Sequence, residues 1–61
     1  MPRYQLIVAY EDCYVKVDNC HELTDALSAM AIYLEDPTSQ LANIYDRVSM
    51  QMIFNWTRPD P

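Results

Sequence analysis

Apolar residues recur with a helical period between Asn19 and Asp36. Leu23, Ala26, Leu27, Met30, Ala31 and Leu34 fall at i, i+3, i+4, i+7, i+8 and i+11, and a turn of about 100° per residue stacks them in one stripe. The spacing predicts an amphipathic helix. Asn19 with Glu22 three residues on has the form of a capping box, in which each side chain satisfies a backbone N–H left free in the first turn. Pro37 sets the other end, since it has no N–H to donate and disfavours helical geometry at Asp36. The polar side carries His21, Glu22, Thr24, Asp25, Ser28 and Glu35, with Ile32 among them beside Ala29 and Tyr33. An apolar Ile32 on the solvent side is a candidate centre for a contact patch.

The flanking stretches change to period two. Tyr4, Leu6, Val8 and Tyr10 alternate with Gln5, Ile7 and Ala9, and Cys13, Val15 and Val17 alternate with Tyr14, Lys16 and Asp18. A two-residue turn at Glu11-Asp12 sets Tyr10 opposite Cys13, Val8 opposite Val15 and Leu6 opposite Val17, so the apolar sets share a face. Such turns prefer Gly or Asn, and the chain has no Gly, so a longer loop shifted by one or two residues is the alternative register. After the helix, Leu41–Tyr45 and Met50–Trp56 read as a second hairpin joined around Asp46–Ser49. The rival is a short second helix, with Asp36-Pro37 as its start and Leu41, Ile44, Tyr45 and Val48 at helical spacing. Thr57–Pro61, with two prolines, reads as an extended tail.

These elements describe one α+β domain over residues 1–61, β-β-α-β-β in order, with β-β-α-α-β as the alternative. A single helix covers one face of a sheet. The other face, with Ile7, Tyr14 and Ile53 as candidates, then meets solvent or protein, and homodimerisation is the simplest cover.

Composition sharpens this picture. At 51% hydrophobic and 11% aromatic, the chain has the material for a core. A domain of 61 residues nevertheless buries only about 60% of its unfolded surface, so a partner chain is a common source of stability. Nine acids against four bases give −5 at neutral pH, which disfavours direct nucleic-acid binding and favours a protein partner with a basic surface. The same charge also serves solubility. No run approaches the roughly 20 apolar residues of a membrane span, and the first residues lack a basic-then-apolar leader. With only two cysteines, the expected location is cytoplasmic.

Candidate chemistry is sparse. Cys13 and Cys20, at opposite ends of one strand, stand too far apart to bridge, and Cys20-His21 lacks the ligand spacing of a zinc knuckle. Ser28, Ser39 and Ser49 sit in no nucleophile motif and no Gly-rich phosphate cradle exists, so neither catalysis nor a cofactor is expected. The acids are more informative. Glu35 and Asp36 oppose the macrodipole at a helix C-terminus by about 0.3 to 1 kcal/mol each, which suits binding better than folding. With Asp25 they form an acidic surface able to imitate a phosphate array, and Ile32, Tyr33, Tyr14 and Trp56 are candidate anchors.

In length, acidity and β-β-α-β order, the chain resembles the small acidic proteins by which phages disable host machinery, in particular the small dimeric uracil-DNA glycosylase inhibitors. The likeness is of topology and composition over nearly the whole chain. No motif matches residue by residue, so no functional residue carries over. The resemblance implies an inhibitor of a nucleic-acid-processing enzyme. Its dimer would present acidic edges as a DNA mimic, and Tyr33, Tyr14 or Trp56 would enter the enzyme's pocket.

Overall fold

The computed structural model describes residues 1–60. The element order is β1 (Tyr4–Tyr10), β2 (Val15–Cys20), α1 (Leu23–Tyr33), β3 (Ser39–Asp46) and β4 (Gln51–Thr57). The four strands form one antiparallel sheet in the order β2-β1-β3-β4, an α+β fold. The stretch from Leu41 is therefore strand and not a second helix. Because β2 and β3 both run antiparallel to β1, they run parallel to each other and no tight turn can join them. The helix makes that return, lying over β1 and touching β2 and β3 but not β4.

Leu6, Val8, Ala42 and Ile44 of the two central strands meet Ala26 and Met30 of the helix in the buried core. The alternation in β1 is the one read from the sequence. In the helix the buried stripe is turned slightly. Tyr33 packs against the core and Leu27 lies at its exposed edge, while Ile32 faces solvent at 64% exposure.

Three expectations are corrected. The helix starts at Leu23 with Glu22 as N-cap and no side-chain cap bond, because Asn19 and Cys20 are taken into β2. Asn19 instead accepts a hydrogen bond from Arg47 Nη2 at 2.8 Å. In the first hairpin the two-residue turn gives way to the longer-loop alternative: the turn has three residues, Glu11-Asp12-Cys13, and the register slips by one, pairing Val8 with Lys16, Ile7 with Val17 and Leu6 with Asp18. That slip sends Lys16, Asp18 and Cys20 to the helix side and Val15 and Val17 to the open side. The tail also begins later than expected. Thr57 closes β4, and Arg58 donates its backbone N–H to Gln40 O at 2.9 Å.

In the second hairpin, Asp46 pairs with Gln51 and Tyr45 with Met52, then an extra residue on β4 shifts the pairing to Ile44 with Phe54. The helix does not reach this strand, and Met52, Ile53 and Phe54 are 40 to 54% exposed.

Candidate functional site

Two turns meet at one end of the sheet. The β1–β2 turn closes through Cys13 N–H donating to Tyr10 O at 3.0 Å, with Cys13 in the left-handed region at φ 70°. Asp12 Oδ1 accepts the Tyr14 N–H at 3.0 Å and fixes the way out. After the helix, Asp36 Oδ1 accepts from both the N–H and the hydroxyl of Thr38, at 2.9 and 2.8 Å. The Glu11 N–H then donates to Thr38 O at 2.9 Å, tying the two turns together.

Between them lies an open cleft of about 360 Å³ lined by Tyr10, Asp12, Tyr14, Lys16, Tyr33, Asp36 and Thr38. The Tyr10 and Tyr14 rings lie 5.8 Å apart at a tilt of 46°. On the opposite wall, Lys16 Nζ stands 5.0 Å from the centroid of the Tyr33 ring. Glu11 and Glu35 are exposed beside Asp12 and Asp36 in the two turns.

Hydrogen bonding and burial set the charge states here. The Tyr33 hydroxyl donates to Asp18 Oδ2, and that bond to a carboxylate, with lesser help from burial, pushes the phenol up to about 12. Burial pushes the Tyr10 phenol up as well, with the Asp36 charge adding to it. Asp36 is held below its ordinary value chiefly by the two bonds from Thr38. The phenols stay neutral and Asp36 stays anionic across the physiological range.

Arg58 braces this end from behind. Its Nε donates to Ser39 O at 2.6 Å, and Nη2 reaches Leu34 O at 3.3 Å, Asp36 O at 3.1 Å and Ser39 Oγ at 2.7 Å. The last turn of the helix holds no basic residue, so Arg58 supplies from the far end of the chain the positive charge that the helix C-terminus favours. Asp36 accordingly has a folding role as well as an exposed charge.

Of the seven residues singled out from the sequence, Tyr14, Tyr33 and Asp36 line the cleft and Glu35 adjoins it. The other three lie elsewhere. Asp25 is in the first helical turn at the opposite end, Ile32 is on the solvent face of the helix, and Trp56 is on β4 beneath the Arg58 guanidinium, 5.1 Å from it. Sequence reasoning missed Tyr10, Asp12, Lys16 and Thr38. Only the register slip brings Lys16 to the side of Tyr33, and only contact between the two turns brings in Asp12 and Thr38.

Carboxylates, aromatic ring faces and a nearby helix C-terminus are groups that hold a cation. Lys16 shows that the Tyr33 face accepts one. No family model matches the chain, and no curated protein or solved structure is significantly similar to it.

Proposed function

We propose that the protein is an interaction module whose cleft receives a basic side chain of a protein partner, and that it inhibits a nucleic-acid-processing enzyme by occupying the surface that would hold phosphates. The observation that carries this reading is the cleft itself: Asp12 and Asp36 flank the rings of Tyr10, Tyr14 and Tyr33 in a chain of net charge −5. A partner guanidinium would stack on the phenols and bond to the carboxylates, displacing Lys16 from the Tyr33 face. Glu11 and Glu35 at the rim add long-range attraction for a basic surface, which raises the association rate at low salt.

The test uses Asp12→Asn with Asp36→Asn. Asparagine keeps the Oδ1 that accepts from Tyr14 or Thr38, so the turns persist while two charges are removed. The immobilised wild-type protein should retain a nucleic-acid-processing enzyme from bacterial lysate, release it as salt rises, and inhibit that enzyme in a direct activity assay. The double variant, shown by circular dichroism to be folded, should do neither. Equal inhibition by the variant, or retention indifferent to salt, would overturn the reading.

A further inference from the structure

The two edges of the sheet are finished differently. The β2 edge carries Lys16 and Asp18, the helix packs against it, and the Arg47 guanidinium reaches its far end by bonding to Asn19 Oδ1. Charge and cover of that kind keep an edge strand from pairing with another chain. Among the described residues β4 has none of these. Residues 48–57 carry no charge, the strand holds no proline, the helix does not touch it, and six of its seven residues are exposed.

One bond sets the phase of the backbone on this strand. The Arg58 N–H donates to Gln40 O at 2.9 Å, so Arg58, and with it Trp56 and Phe54 opposite Ala42 and Ile44, turn their N–H and C=O groups toward β3. The alternate residues Asn55 and Thr57 turn theirs outward, where β4 has no neighbour in the sheet. Ile53, the extra residue in the pairing, breaks this alternation and confines the regular edge to the half of the strand beyond it.

We propose that β4 pairs along this half with an extended, uncharged segment of a protein partner, which adds a fifth strand to the sheet. The backbone selects a strand as occupant, because an extended chain supplies donors and acceptors at the spacing of Asn55 and Thr57. Side chains select its character. Phe54 and Trp56 lie on the helix side of β4, opposite Ile44 and Ala42, and the helix stops short of the strand. They form an apolar shelf for one face of the added strand, whose alternate residues are therefore aliphatic or aromatic. The chain's own ending weighs against a second copy. An antiparallel copy paired through Asn55 and Thr57 sets Pro59, which has no N–H, opposite Ile53 and runs Asp60 against Met52, with −5 on each chain. The pairing is independent of the tyrosine cleft, whose lining includes no residue of β4.

The probe is a capped peptide of about seven alternating threonine and valine residues, the length of an ordinary strand, read by amide hydrogen exchange and NMR shifts of the isotope-labelled protein. In the protein alone the Asn55 and Thr57 amides should exchange quickly and those of Phe54 and Trp56 slowly. Millimolar peptide should protect Asn55 and Thr57. The fully N-methylated peptide, with no N–H to donate, should protect neither, a comparison made on the wild-type protein and so independent of any variant's folding. Asn55→Pro removes an outward N–H and no bond of the β3–β4 ladder, so the fold should persist while peptide affinity falls about 5-fold or more. The cleft variants Asp12→Asn and Asp36→Asn should bind the peptide as wild type does. Equal protection by both peptides, or none at millimolar peptide, would overturn the proposal. So would protection of Asn55 and Thr57 that grows with protein concentration alone, which would give the edge to a second copy.

Discussion

Arg3 and Asp46 stand 43 residues apart in the chain and meet as a bidentate pair, Nε to Oδ1 and Nη2 to Oδ2, both at 3.0 Å. The same Oδ1 accepts the Val48 N–H at 2.9 Å and the Ser49 N–H at 3.4 Å, so one carboxylate both joins β1 to β3 and shapes the β3–β4 turn. The Arg3 bonds hold the Asp46 acid well below the usual carboxylate range, against the opposing effect of burial. With the folded pKa depressed, the pair's contribution to stability is fully present above the unfolded value of about 4 and is lost as pH falls further. Asp46→Asn keeps an acceptor for the turn but loses the charge. The variant should be less stable than wild type at pH 7 and less sensitive to pH below about 4, as read from urea unfolding midpoints across the acid range.

The bond from the Tyr33 hydroxyl to Asp18 reverses the sign at high pH. Its phenol is raised to about 12 in the folded state, against an ordinary value of 10, so the stability it gives is complete below pH 10 and is lost between about pH 10 and 12. Absorbance titration should find one tyrosine ionising far later than the others. Asp18→Asn should bring that tyrosine back toward 10 and flatten the alkaline loss of stability. A titration unchanged by the substitution would mean that burial alone holds Tyr33 neutral.

The two predictions rest on residues whose partners were not legible in the sequence, and the reason is physical. The alternation of Leu6 and Val8 and the helical stripe through Ala26 and Met30 are local patterns, and both survive folding as the core. Register is different. Without Gly, nothing in Glu11-Asp12-Cys13 marks Cys13 as the residue that turns left-handed, yet that one torsion moves Lys16 and Asp18 to the helix side. Asn19 likewise reads as a helix cap, but β2 continues through it because β1 offers it a pairing with Gln5. Of the candidate site, Tyr14, Tyr33 and Asp36 were identifiable as chemistry. Their meeting depends on the contact between Glu11 and Thr38, which no local pattern encodes.

Lys16 is the stand-in for the proposed partner's cation, and removing it should strengthen binding. Lys16→Met keeps most of the stem packed on Tyr33, vacates the cation position and takes the net charge from −5 to −6. Affinity for the captured enzyme should rise several-fold and its salt dependence should steepen, measured by calorimetry at two ionic strengths. Weaker binding by a folded Lys16→Met protein would show that the lysine contacts the partner rather than holding its place.

Both hairpins turn on a left-handed residue that is not glycine, Cys13 at φ 70° and Met50 at φ 61°. For an L-residue with a Cβ that conformation costs about 1 to 2 kcal/mol, and glycine escapes it at an entropic cost of about 0.5 to 1 kcal/mol in the unfolded chain. Cys13 is exposed and Met50 is 72% exposed, so neither side chain contributes to the core. Cys13→Gly and Met50→Gly should therefore each stabilise the fold by up to about 1 kcal/mol. Separated turns should make the gains additive, and Met50→Val should act in the opposite sense, because a β-branched side chain tolerates positive φ least. Urea unfolding with an unchanged slope checks all three. A loss of stability on Met50→Gly would mean that the Met50 side chain holds the β3–β4 turn through packing that outweighs its backbone strain.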